Sequence, residues 1–502
     1  MTRGDGESGS GGRRNDGRTG NRGPVRSATR PAERTKRAEP TRFAAYTLQR
    51  AVADGAYANL ELPHILRRAR LTGRDAAFAT ELAFGTLRHR SLYDAVIGLA
   101  ADRVVAAIDD KVLDVLRVGT HQLLGMRVPV HAAVDQTVGL ARSVAGHGAG
   151  GFTNAVLRRV SERTRDQWLE AVVGGRGGVP SLALEHSHPE WIVSALQQAL
   201  IGHGAATPAT VNEPLADLLR ADNDPPKVAL VARPGLSSVA DLVDRGAARS
   251  TTSPIGAVLD SGVPGEIDLV RDGRAAVQDE GSQLLALALA ATPVPDGPPN
   301  RWLDLCAGPG GKASVLAGLA TDAGADLVAN EVSPHRADLV RQTLAPAIAR
   351  AEAAGRSVTV RTGDGTEIGA DEPAAYAKVL VDAPCTGLGA LRRRPEARWR
   401  RQPSDLAQLG PLQRDLLRSA LDAVAPGGVV AYTTCSPHLA ETTFVVRDVL
   451  KGRADIEVLD AHAALAEVSG GALDVAGEGP HAQLWPHLNG TDGMFMALLR
   501  RR

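Results

Sequence analysis

Cysteine, aromatic residues and net charge are all scarce in this chain. Only Cys306, Cys385 and Cys435 occur in 502 residues, all in the C-terminal half. A sparse, odd-numbered set argues against a disulfide framework, and more strongly so in a reducing compartment. No CxxC pair occurs, which argues against a cysteine-based zinc site, and no metal is expected. The 57 Lys and Arg residues balance 57 Asp and Glu residues, so global charge announces no nucleic-acid partner and only its distribution can. No run approaches the roughly 20 apolar residues of a membrane span. The segment Met1 to Arg30 has no apolar h-region, so it does not read as a secretory signal and a cytoplasmic location is expected. Aromatics make up 3% of the chain while Ala, Gly and Arg are plentiful, a bias that a GC-rich coding sequence explains as well as any function.

What is present is ordinary for a soluble globular protein, at 43% hydrophobic and 23% charged. The length exceeds one hydrophobic core and predicts two or three domains. Residues 1–40 lack hydrophobic periodicity and read as a disordered basic tail, with seven arginines and no lysine against three acids in the first thirty. Residues 41–170 carry helical spacing, as at Phe43, Tyr46, Leu48 and Val52, and again from Val112 to Val118. A bundle of five to seven helices is expected there. Residues 171–276 read as a small α+β unit, with helices around Trp191–Leu200 and Leu215–Arg220 and strands at Val228–Val231 and Ala257–Leu259. From 277 to 502 short apolar strands alternate with helices: Trp302–Leu305, Leu327–Ala329, Val358–Val360, Val379–Val381 and Gly428–Tyr432. This rhythm predicts a mainly parallel, doubly wound sheet, with ligands at the carboxyl ends of its strands.

The first of these strands runs into Cys306-Ala307-Gly308-Pro309-Gly310-Gly311-Lys312 and then a helix. Glycines in such a turn allow close backbone approach and present amides at a helix N-terminus. A Walker A loop fails, because Cys306 occupies the first Gly position and Ala313 the Ser/Thr position. A dinucleotide GxGxxG fails as well. Glu331, ending the next strand roughly 20 residues on, suits ribose hydroxyls. Asp364, after the strand beyond, suits an adenine amino group. A cofactor with ribose but no phosphate fits this set, and S-adenosylmethionine is the common one.

Cys385, in Asp382-Ala383-Pro384-Cys385-Thr386-Gly387, and Cys435, in Thr433-Thr434-Cys435-Ser436-Pro437, both fall at strand ends facing the same crevice. Carbon 5 of cytosine is a poor nucleophile, so a thiolate must first add to carbon 6 before methylation. A base must then remove the proton at carbon 5. Two thiols have a use in that chemistry, and Asp382 can hold the N3/N4 edge of the base. The residues alone leave open which thiol attacks.

DLCAGPGGK, DAPCTGLG and TTCSPHLAET resemble the RsmB/Sun branch of RNA 5-methylcytosine methyltransferases. Glu81–Arg88, Leu116–Gly119, His131–Val134 and Gly151–Arg159 resemble that branch's NusB-like RNA-binding domain. Val277–Gln283 resembles the entry of its catalytic domain. The resemblance covers nearly everything from residue 41 onward. It implies a helical NusB-like bundle, a connecting domain and a Rossmann-like methyltransferase sheet. It also implies that Cys435 is the nucleophile, that Cys385 assists proton removal and release, and that Cys306 to Lys312, Glu331, Asp364 and Asp382 line the cofactor site. Gly308 departs from the pattern, since the branch commonly has Ala there. Ribosomal RNA of the small subunit is the expected partner. A transfer-RNA substrate, or a non-catalytic RNA-binding factor, are the alternatives. Arg392, Arg393, Arg394 and Arg398, in a basic run around Trp399, are expected to face RNA, with Arg158 and Arg159 as further candidates.

Overall fold

Apolar residues spaced three and four apart build the first half of the chain. The computed structural model describes residues 38–295 and 299–502; the expected tail falls mainly on residues 1–37 and lies outside the described residues. Eight helices come first: α1 (Pro40–Ala53), α2 (Ala58–Ala69), α3 (Gly73–Arg88), α4 (Arg90–Ala101), α5 (Asp110–Leu124), α6 (Val130–Ala145), α7 (Ala149–Val160) and α8 (Arg165–Val173). Their starts carry the expected chemistry. Glu39 accepts from the amides of Thr41 and Arg42, Asp109 from those of Lys111 and Val112, and Thr164 forms a capping box with Gln167. Leu48, Leu82 and Leu87 fill one core of this bundle, and Leu92, Ile97, Leu116 and Leu157 a second. Helices α9 (Gly178–Glu185), α10 (Glu190–Gly202) and α11 (Asn212–Ala221) follow. Their apolar faces form a cluster that includes Leu388, Leu391 and Trp485 from far along the chain.

Strands β1 (Val228–Ala232), β2 (Ala248–Arg249), β3 (Gly256–Leu259) and β4 (Ala275–Val277) form a small antiparallel sheet in the order β2-β3-β1-β4. The helix Glu280–Ala291 then packs Leu284, Leu285 and Leu289 into the core of a larger sheet.

That sheet comprises β5 (Arg301–Asp304), β6 (Asp326–Glu331), β7 (Val358–Thr362), β8 (Tyr376–Asp382), β9 (Val424–Thr434), β10 (Ile456–Leu459), β11 (Ala482–Gln483) and β12 (Phe495–Arg501). The order is β10-β12-β9-β8-β5-β6-β7, with β11 beside β12. The five strands β5 to β9 are mutually parallel, while β12 runs antiparallel to β9, β10 and β11. Alternate residues feed opposite cores, with Trp302, Leu327 and Leu380 on one face and Leu303, Val328 and Val379 on the other. The chain therefore has an N-terminal helical bundle, a small antiparallel sheet and a C-terminal, mostly parallel Rossmann-like sheet. The antiparallel edge was not anticipated from sequence, because Phe495-Met496-Ala497-Leu498-Leu499 is rich in helix formers. Pairing with β9 along its full register overrides that preference. Strand order reverses between β5 and β8, and this reversal opens the crevice at their carboxyl ends.

Candidate active site

The turn after β5 is short because the helix Gly311–Asp322 begins at once, with Gly310 as its N-cap at φ 111°. A side chain is strained at that angle, and a Cβ there would also press within 2.8 Å of Thr343. Glu331, at the end of β6, accepts from the amide of Gly308 at 3.1 Å and from that of Ser333 at 3.0 Å. Arg336 lies 3.5 Å from its carboxylate. Asp364 is exposed beyond β7 and accepts from the amide and hydroxyl of Thr366 at 2.9 and 2.8 Å. Asp382, ending β8, accepts from Lys312 Nζ at 2.7 Å and from the Thr433 hydroxyl at 3.2 Å. Burial works against the Lys312 charge, but Asp382 outweighs it, and the ammonium is held above its ordinary range.

Asp304 is fully buried and neither carboxylate oxygen has a hydrogen-bond partner among the described residues. Burial, reinforced by the negative charge of Asp382, pushes it up to about 8, so it is a neutral acid at physiological pH. Burial and the charges of Asp382 and Glu331 likewise push the Cys306 thiol far up, which leaves it inert as a nucleophile. The crevice is thus acidic, and its one lysine is occupied by Asp382. It suits a cofactor that brings positive charge and hydroxyls and repels one that brings phosphates.

Cys385 and Cys435 approach to 3.4 Å between sulfurs. The hydrogen bond between them separates their acidities. Cys435 is lowered, chiefly by the contact with Cys385; burial and Asp382 oppose this, while the cations of Arg394 and Lys312 support it. Cys385 is raised well above its ordinary value, chiefly by the same contact, with burial, Cys435, Glu441 and Asp382 adding to the effect. The two thiols are therefore biased in opposite directions, Cys435 toward the thiolate and Cys385 toward the thiol. Gly387, at φ 76°, carries the chain around them, and a Cβ there would sit 4.0 Å from Cys435 Sγ.

The basic run behaves differently from the expectation that it faces RNA. Arg392 and Arg393 are turned inward onto Asp279 and Asp492. Arg392 lies 3.0 Å from Asp492 and 3.3 Å from Asp279, and Arg393 lies 2.9 and 2.6 Å from the same pair. Arg398 is 0% exposed, so the RNA-facing reading is corrected for it, and likewise for Arg392 and Arg393, which the acids Asp279 and Asp492 take up. Arg398 donates to the carbonyls of Arg88, Ser187 and Asp222 and to the Asn223 side chain, at 3.1, 3.3, 2.7 and 2.7 Å. Trp399 donates to the carbonyl of Leu87 at 3.0 Å, and Arg400 to those of Val52 and Ala56. Arg401 turns back to the carbonyls of Thr386 and Cys385 at 2.9 and 3.3 Å. The run is the seam between helical and catalytic halves. Arg394 alone among the four expected RNA contacts here stays exposed, on the thiol side. Arg158 and Arg159 are exposed on α7, and their hydrogen bonds, to Asn154 and Ala100, stay within the bundle. Asp304, Gln413 and Glu441 were not singled out from sequence, although Glu441 lies within TTCSPHLAET and Asp304 opens DLCAGPGGK.

A parallel sheet with a glycine turn after its first strand and carboxylates ending the next ones defines an S-adenosylmethionine-dependent methyltransferase. Residues 292–500 match the family model described as 16S rRNA methyltransferase RsmB/F, and residues 40–162 match the NusB family. A protein of Mycobacterium tuberculosis, named as a methyltransferase without a stated substrate, is 50% identical over 469 residues, covering 92% of this chain and 97% of the relative. The ribosomal RNA small subunit methyltransferase B of Pseudomonas putida is 31% identical over 474 residues, covering 92% and 98%. The crystal structure of PH0851 shares the fold, at TM-score 0.73 and 20% identity over 92% of this chain and 99% of that one. The chain belongs to the RsmB/F family of S-adenosylmethionine-dependent RNA (cytosine-5)-methyltransferases.

Proposed function

We propose that the protein methylates carbon 5 of a cytosine in small-subunit ribosomal RNA, with Cys435 attacking and Cys385 assisting release. The thiol roles are supported by the match of TTCSPHLAET and DAPCTGLG to the family's motifs, and the 3.4 Å contact brings both sulfurs to one point of the crevice. Cys435, the thiol biased toward ionisation, adds as thiolate to carbon 6, and Asp382 suits the N3/N4 edge of the base. S-adenosylmethionine, when bound, supplies the methyl group as an electrophilic sulfonium. The turn Cys306, Ala307, Gly308, Pro309, Gly310, Gly311 and Lys312 lines its site. Glu331 takes the ribose hydroxyls and Asp364 the adenine amino group. Once ionised, the less acidic Cys385 is the stronger base for the proton at carbon 5. Loss of that proton restores the ring double bond and expels Cys435 as a thiolate. Ribosomal RNA is favoured over transfer RNA by the family description and by the name of the Pseudomonas putida relative. Arg394, exposed on the thiol side, is the candidate RNA contact that remains beside the site; Arg158 and Arg159 remain candidates on the bundle. We expect it to act in the cytoplasm, as its sequence suggests. Separately, no described helix is long and apolar enough to cross a membrane.

The test is labelled S-adenosylmethionine with unmodified small-subunit ribosomal RNA and, separately, transfer RNA, followed by mapping of the methylated cytosine. Methylation of the ribosomal RNA is expected; methylation of transfer RNA alone reassigns the substrate. Cys435→Ala is expected to abolish turnover and form no adduct, while Cys385→Ala accumulates a protein–RNA adduct that survives denaturing gels. The opposite pattern reverses the roles.

A further inference from the structure

Cys385 lies on an irregular loop that no sheet ladder fixes, so its position depends on side chains. The residue after it, Thr386, is buried, and its amide donates to Glu441 Oε1 at 2.7 Å. Its hydroxyl donates to Glu441 Oε2, and also lies 3.2 Å from the Ser436 hydroxyl. Gln413 donates to the carbonyl of Pro384 at 2.8 Å, on the other side of Cys385, and to Glu441 Oε1 at 3.3 Å. Glu441 is 1% exposed and ends the short turn Leu439–Glu441, six residues past Cys435. The Tyr432 hydroxyl anchors that turn by donating to the carbonyl of Glu441 at 2.8 Å. A carboxylate is costly to bury unless donors surround it, and here those donors are Thr386, twice, and Gln413.

Cys435 is held differently. It follows directly on β9, whose last residue Thr434 pairs with Phe495 of β12. Its carbonyl accepts from the amide of Gly389 at 2.9 Å. The attacking thiol thus rests on main-chain pairing, whereas the loop of the second thiol is held by side chains: Glu441 on Thr386, Gln413 on Pro384, and Arg401 on the carbonyls of Cys385 and Thr386.

We infer that Glu441 is a positioning residue for the release half of the reaction, setting Cys385 against the substrate through Thr386. This rests on the reading of Cys385 as the thiol of release. In that step the proton at carbon 5 passes to the Cys385 thiolate, whose own proton has already gone to solvent. The bonding pair closes the C5–C6 double bond, and the bond from C6 to Cys435 Sγ breaks to return that thiolate. Glu441 touches none of the reacting atoms. Its loss leaves attack and methyl transfer in place and slows release, because a misplacement of about 1 Å costs up to roughly 100-fold in a positioned proton transfer.

The experiment compares full-length wild type, Glu441→Gln, Thr386→Val and Cys385→Ala with S-adenosylmethionine and a small-subunit ribosomal RNA transcript. Gln keeps the size of Glu441 but turns an NH2 toward donors, and Val removes only the Thr386 hydroxyl. Four quantities are read: S-adenosylmethionine affinity, methyl transfer in the first turnover, steady-state turnover, and adduct on denaturing gels. For Glu441→Gln, affinity and first turnover are expected to stay near wild type. Steady-state turnover is expected to fall by roughly 10- to 100-fold, with adduct accumulating as it does in Cys385→Ala. Thr386→Val should fall between the two, and decides alone if Glu441→Gln does not fold. If Cys385→Ala traps adduct while folded Glu441→Gln and Thr386→Val release product like wild type, the inference fails and the thiol roles stand. Equal losses in first and later turnovers also overturn it, since the residue then serves both thiols. If Cys385→Ala traps nothing, the reading of Cys385 fails and the role of Glu441 fails with it.

Discussion

Replacing Arg398 by Met separates a buried structural arginine from an RNA-binding one. The guanidinium makes four hydrogen bonds across the seam, three to carbonyls and one to Asn223. Hydrogen bonds from a charged donor contribute ~1.5–3 kcal/mol each. Against them stands the cost of burial, which, partly offset by Asp222, pushes Arg398 down to about 10, equivalent to ~3 kcal/mol. The net loss expected for Arg398→Met is therefore ~3 kcal/mol or more. Urea unfolding followed by circular dichroism should show a lower midpoint, with the transition splitting as the two halves lose their coupling. RNA affinity measured well below that midpoint, and its dependence on salt, should stay at wild-type values. A variant whose stability lies within ~0.5 kcal/mol of wild type, but whose RNA affinity has dropped, would refute the burial argument.

Arg394→Ala should do the reverse, preserving stability while moving the acid limb of the kcat/KM profile to higher pH. A cation that holds the Cys435 thiol down is then gone; an unmoved limb contradicts this. Asp222 is raised to about 7 by burial, so the stability it contributes is complete below its ordinary carboxylate range and is lost as pH rises through about 7. Asp222→Asn should therefore unfold later than wild type at pH 8 and show little advantage at pH 4, by urea midpoints at both values. Gly387→Ala places a side chain at φ 76° beside Cys435, at ~1–2 kcal/mol of backbone strain. Turnover should fall while S-adenosylmethionine affinity, measured calorimetrically, holds.

Much of the catalytic half was legible because its signals are local. Short runs such as Leu327-Val328-Ala329 and Val379-Leu380-Val381 end in the residues that define the crevice, and a strand that ends in a glycine turn places its ligands by topology alone. Cys385 and Cys435 were recognisable by the same logic. The basic run was misread because a row of arginines looks the same whether water or a distant carbonyl receives it. The Arg88 carbonyl that Arg398 meets lies 310 positions away. Glu441 was missed for a related reason. An acid near a catalytic cysteine has no visible role until the fold brings Thr386, 55 positions back, onto both its oxygens.

The seam made by Arg398, Trp399 and Arg400 also bears on how this chain can diverge. Apart from Asn223, their acceptors are main-chain carbonyls, at Val52, Ala56, Leu87, Arg88, Ser187 and Asp222. Every amino acid carries such a carbonyl. The helical half can therefore exchange most of its side chains along this boundary, and so retune which RNA it grips, without renegotiating the attachment to its catalytic partner. Much of the constraint falls instead on three consecutive residues of the catalytic half, whose side chains reach these carbonyls.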